Sequence, residues 1–257
     1  MTETCPVLIL FPGAWGNRTT ELATWWLRHV INHFKDEYQI VVVTYKGTSL
    51  NAYVASALTQ LKDIPDGSLA LCYSMGAQIA RGVATQRPKL FKRVALFSGL
   101  ERGGVRVIVF LRALTFMLVP MLRTLIGRPL MLDTDEQVRR VFFQPLPRVH
   151  PRGIVELNRL TAGRNLLMQN LLDQRLIPEP AWAMLRLFLP GLRQRFPPLP
   201  CPVMAIIPRN DFILPGARYP REQIKRVEVG GDHSLILNEH NLAIDQLRRI
   251  ATWFLTT

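Results

Sequence analysis

Six short apolar runs, near residues 7–11, 39–44, 69–73, 93–97, 203–207 and 226–229, punctuate the chain, and most are continuous rather than alternating. A strand that is apolar on both faces has to be covered on both faces. The cover lies between the runs, as apolar residues spaced by three and four: Leu22, Trp25, Trp26, Val30, Ile31 and Phe34, and later Leu242, Ile244, Leu247, Ile250, Trp253 and Phe254. This alternation predicts an α/β fold of about six mostly parallel strands flanked by helices. The first run begins within a few residues of Met1, which leaves no room ahead of it for an antiparallel hairpin. At 257 residues and 48% apolar content the chain suits one such domain carrying an insertion.

The insertion is expected before the last two strands. About a hundred residues separate the fourth run from the fifth, too many for an ordinary helical crossover. The division expected is a core of residues 1–100 and 200–257 with a helical cap over 101–199, its helices near 106–125, 134–143, 151–158 with an extension toward 172, and 179–189. Apolar cap residues such as Phe110, Phe143 and Trp182 either line an acyl or aromatic pocket or pack one cap helix on another. Phe110 and Phe143, with Trp15 and Tyr73 of the core, are the candidate pocket residues. The most apolar segment, 105–132, is interrupted by Arg106, Arg112, Arg123 and Arg128. Its longest charge-free stretch is the ten residues 113–122, about half of the roughly twenty that a spanning helix needs. Contact with a membrane surface remains open.

The amino terminus opens with an acidic residue and enters its first strand at once, so no secretory leader is expected. Cys5, Cys72 and Cys201 form an odd set with neither pairing nor metal spacing, as in reduced thiols of the cytoplasm. A cytoplasmic protein needing no metal or cofactor is the expectation.

The chemistry begins at residues 69–76, where the run Leu69-Ala70-Leu71-Cys72-Tyr73 stops on Ser74 and a helix-forming stretch starts at Met75-Gly76. A serine at the apex of a strand-to-helix turn holds its hydroxyl clear of the sheet, beside the N–H groups of the helix start. The usual elbow is Gly-x-Ser-x-Gly, and Cys72 stands where the first glycine would be; an ordinary helix-capping serine is the competing reading. Cys72 itself lies inside the strand and is a poor nucleophile candidate. A base and an orienting acid are also required, in the chain order serine, acid, histidine. Asp211 follows the run 202–207, at a strand's carboxyl end where sites of open α/β sheets collect. His233 follows the run 226–229 behind two glycines that permit a close approach. Among the five histidines it alone has that position. Glu101, just after the fourth run, is the reserve acid.

The loop after the first run reads Pro12-Gly13-Ala14-Trp15-Gly16. With Ser74, Asp211 and His233 it makes four separated blocks in which the chain resembles the α/β-hydrolase superfamily, whose corresponding loop usually reads His-Gly-x. The resemblance implies the α/β-hydrolase fold with a helical cap over the serine, and an oxyanion hole from the N–H groups of Ala14 and Met75. Pro12 stands where the histidine usually is, which bears on loop geometry and leaves backbone donors intact.

The charge balance of 32 basic and 19 acidic residues, a net of +13, is concentrated in the insertion. Residues 101–200 hold 15 arginines, no lysine and 7 acids. Arginines beside an acyl pocket suit a substrate carried on something acidic, such as an acyl carrier protein, coenzyme A or a phospholipid head group. A merely solvated basic surface explains the composition equally well. No nucleic-acid module is present, so nucleic acid is not an expected partner. In size, cap position and arginine content the chain resembles the pimeloyl-acyl-carrier-protein methyl ester esterases. That resemblance implies a short-acyl methyl ester, with Arg139, Arg140, Arg152 and Arg159 as candidate carrier contacts. The expected function is a serine esterase acting on a small acyl ester; an acyl thioesterase, a carbon–carbon bond hydrolase and a non-catalytic binding or membrane-surface protein are the alternatives.

Overall fold

The computed structural model describes residues 5–100, 107–132, 134, 137, 138, 140, 179–188, 196–209, 211, 224–237 and 241–256. The six expected strands are all present: β1 (Val7–Phe11), β2 (Gln39–Val42), β3 (Ser68–Tyr73), β4 (Phe91–Phe97), β5 (Val203–Pro208) and β6 (Ile224–Val229). They form one sheet in the order β2-β1-β3-β4-β5-β6. Every neighbouring pair is parallel. Each residue of β1, β3 and β5 is buried, which is why these strands read as unbroken apolar runs. The edge strands are polar by contrast. Gln39 in β2 is exposed, as are Lys225, Arg226 and Glu228 in β6, and charge of this kind discourages further strand pairing.

Seven helices are described: α1 (Thr20–Trp26), α2 (Arg28–Phe34), α3 (Leu50–Gln60), α4 (Gly76–Gln86), α5 (Val107–Leu125), α6 (Ala181–Phe188) and α7 (Asn241–Leu255). Thr19 caps α1 by accepting from the N–H of Leu22, and Ser49 caps α3 by accepting from that of Ala52. The apolar spacing over 22–34 fits one face but not one helix, because Leu27, at φ −101° and ψ 14°, separates α1 from α2. α2 packs with α7, and α3 with α4. Right-handed crossovers put the leftward connection from β1 to β2 and the rightward ones on opposite faces of the sheet.

The order reverses direction between β1 and β3, and the carboxyl ends of those two strands flank the crevice where open α/β sheets bind ligands. Of the expected insertion, α5 and α6 are described, along with a two-way antiparallel bridge between Leu130 and Glu179. α5 is bent at Met117, whose φ of −119° is non-helical, three residues before Pro120. The helix expected over 179–189 begins at Ala181, leaving Glu179 in the bridge. The helix expected over 151–158, with its extension toward 172, lies outside the described residues, as does most of that over 134–143. Among the described residues no helix is long and apolar enough to cross a membrane.

Candidate active site

Ser74 follows β3 directly and has φ of 51°, in the left-handed region that a non-glycine residue enters only when its surroundings compel it. Three backbone bonds compel it here. The Ser74 N–H donates to the carbonyl of Phe97 at 3.2 Å, and its carbonyl accepts from Ala77 at 3.2 Å and from Leu100 at 3.0 Å. The turn is tight enough that a Cβ on Gly76 would overlap the carbonyl oxygen of Phe11. Glycine at that position therefore lets α4 start against β1. Behind the turn the buried guanidinium of Arg81 donates to the carbonyl of Leu100 at 2.9 Å, bracing the residue that holds Ser74.

The side chains at three strand ends meet. Ser74 Oγ lies 2.9 Å from Nε2 of His233, and Nδ1 of His233 lies 2.8 Å from Oδ2 of Asp211. All three residues are buried. Gly231, at φ +112°, turns the chain after β6 toward the serine. Asp232 then secures the turn, its Oδ1 accepting from the N–H of Ser234 at 3.1 Å and from the Ser234 hydroxyl at 2.7 Å. Tyr73 braces the histidine from the other side. Its ring centroid is 5.2 Å from that of His233, and its hydroxyl donates to the His233 carbonyl at 2.9 Å. Burial pushes the Tyr73 phenol well above its ordinary range, with the carboxylates of Asp211 and Asp232 adding to the effect, so it remains a donor. Burial likewise pushes up the Cys72 thiol, which keeps it neutral and inert inside β3.

Ala14 and Met75 stand at the switch point, after β1 and β3 respectively, both buried. The loop holding Ala14 is bonded throughout. Tyr45 donates through its hydroxyl to the carbonyl of Pro12 at 3.0 Å, and Asn17 Nδ2 donates to that of Gly13 at 2.8 Å. Trp15 has φ of 66°, and its N–H donates to Oε1 of Glu179 at 2.7 Å. Glu179 also accepts from Asn17 Nδ2 at 2.6 Å and, through Oε2, from the Tyr53 hydroxyl at 2.7 Å. Glu179, Asn17, Tyr53 and Arg81 escape notice in the sequence. Their partners in this network are mostly distant in the chain, and none stands in a recognisable motif.

The other expected residues divide. Trp15 is buried beside the site, and Phe110 is placed in α5 by its backbone. Trp182 is half exposed and lines a cleft of about 470 Å³ with Arg18, Leu125 and Leu185, and Ser74 is not part of that lining. Arg140 is exposed. Phe143, Arg139, Arg152, Arg159 and the reserve acid Glu101 lie outside the described residues. Among the described residues no group of histidine, cysteine and acidic side chains is arranged to hold a metal ion.

Residues 8–245 match the sequence profile of the alpha/beta hydrolase family. No curated protein is significantly similar to this chain. Solved structures with the same fold include an extracellular alpha/beta-hydrolase from a Paenibacillus species, at 13% identity and a TM-score of 0.61 over 96% of this chain and 98% of that one. A thermophilic esterase from Thermogutta terrifontis superposes with a TM-score of 0.59 at 14% identity, over 98% of this chain and 91% of that one. A carboxylesterase from Bacillus subtilis gives 0.59 at 12% identity, over 98% and 85%.

Proposed function

The chain belongs to the alpha/beta hydrolase family, and on that footing we propose that it is a serine-dependent hydrolase of carboxylic esters. The observation that carries this reading is the hydrogen-bonded run from Ser74 through His233 to Asp211. A hydroxyl is a weak nucleophile until a base takes its proton, and an imidazole held by a carboxylate is such a base. In this reading the Ser74 oxygen attacks the ester carbonyl as Nε2 of His233 accepts its proton. Asp211 fixes the tautomer and stabilises the imidazolium. The N–H groups of Ala14 and Met75 receive the oxyanion, each contributing about 3 to 4 kcal/mol to lowering the barrier. The imidazolium then protonates the departing alkoxide, and water, activated by the same base, releases the acid from the acyl-serine. The esterases among the structural neighbours agree with the reading.

We extend the proposal to the substrate's carrier. A basic cap over residues 101–199 suits an acyl group presented on acyl carrier protein, because the stretch 107–132 contains three arginines and no acid. Cys5, Cys72 and Cys201 form no disulfide, which suits a cytoplasmic setting. The test of the core proposal is covalent labelling by a fluorophosphonate, expected at Ser74 and lost in Ser74→Ala. A wild-type protein that takes up no label overturns it. Rates on matched esters and thioesters, free and carried on acyl carrier protein, then separate esterase from thioesterase and give the carrier's contribution.

A further inference from the structure

Glu179 is a carboxylate with no exposed surface, and all of its side-chain partners described above are neutral donors. A charge buried in this way is costly unless its bonds do something that an apolar side chain would not. Two of the three bonds run to the loop that carries Ala14, and their geometry fixes a particular direction.

The Gly13 carbonyl and the Ala14 N–H belong to one planar peptide unit and point opposite ways across it. Holding the carbonyl therefore aims the N–H. The Gly13 carbonyl is held by Asn17 Nδ2 at 2.8 Å, and the same amide nitrogen is held by Oε1 of Glu179 at 2.6 Å. The next peptide is held directly, because the Trp15 N–H donates to that oxygen at 2.7 Å while Trp15 keeps the left-handed φ of 66°. Glu179 is itself fixed on both sides of its backbone by Leu130, its N–H donating at 3.0 Å and its carbonyl accepting at 2.7 Å.

We propose that Glu179 is a positioning residue, whose carboxylate, acting through Asn17 and the Trp15 N–H, aims the Ala14 N–H at the oxyanion. The inference rests on the hydrolase reading above, in which Ala14 is an oxyanion donor. It makes the segment ahead of α6 part of the machinery that stabilises the transition state, although it touches no reacting atom.

The test is the rate at which a fluorophosphonate phosphonylates Ser74, since the phosphoryl oxygen gains charge in the same place and no natural substrate is needed. Rates are taken per folded molecule, with the folded fraction measured by thermal melting. Glu179→Ala is expected to slow phosphonylation about 100-fold, within the range for loss of one oxyanion donor. Glu179→Gln keeps an acceptor for Trp15 and Asn17, with the Tyr53 hydroxyl able to accept from its amide, and is expected to recover the rate to within about tenfold. Asn17→Ala, which breaks the link to Gly13 and spares the carboxylate, is expected to slow labelling as well, and it serves if Glu179→Ala does not fold. A wild type that labels at Ser74, with Glu179→Ala and Asn17→Ala labelling at its rate per folded molecule, overturns the role of Glu179 alone. Absence of labelling in the wild type overturns the hydrolase reading and this inference with it.

Discussion

Trp15, Ser74 and Ser98 are the described non-glycine residues with positive φ, and each lies just beyond the carboxyl end of β1, β3 or β4. Backbone in that region costs about 1–3 kcal/mol per residue and persists only where neighbours over-determine it. Its concentration at one edge of the sheet agrees with a reactive site there. At this scale the acid can be tested without disturbing the fold. Asp211→Asn keeps the shape but offers the wrong partner to Nδ1 of His233, so turnover of an ester is expected to fall by about 10⁴-fold while the denaturation midpoint stays near wild type. Cys72 gives a second outcome. With its thiol pushed up by burial, it is expected to resist alkylation at neutral pH and at pH 9 in the folded protein while exposed Cys5 reacts, as read by peptide mass mapping. Ser74, Asp211 and His233 were legible because strand ends announce them. Glu179 and Asn17 were not, since their bond spans 162 positions and no local pattern marks either partner.

The elements most legible in the sequence were the buried strands, where the need to cover two faces leaves a continuous apolar signature. Periodicity reports a face and says little about continuity, which is why the break at Leu27 and the bend at Met117 were not foreseen. The junction of β3 with α4 shows how closely an element can depend on one residue. A methyl group on Gly76 would meet the backbone of Phe11, which cannot swing aside as a side chain would. Gly76→Ala is therefore expected to destabilise the protein by about 1–3 kcal/mol, lowering its urea midpoint, and to slow labelling of Ser74 by displacing the elbow. A variant as stable and as reactive as wild type would show that the strand–helix contact is looser than described.

At the scale of the molecule, burial pushes the phenols of Tyr45, Tyr53 and Tyr73 upward, with Glu179 adding to the effect on Tyr53. In the unfolded chain such phenols ionise near pH 10. The stability contributed by burying them neutral is thus present below that pH and is lost as pH rises through it. Alkaline titration followed by tyrosinate absorbance is expected to show these three ionising together with loss of helical circular dichroism, rather than in a separate earlier step. Fold class and the number of strands lie close to the sequence because they depend on covering apolar surface. The ties between the segment ahead of α6 and the loop after β1 depend on individual donors and acceptors, which composition does not reveal. The separation of Ser74 from its imidazole by 159 positions also bears on biosynthesis. A nascent chain carries Ser74 before His233 has been made, so on the proposed reading the serine is without its base until the two strand ends can meet.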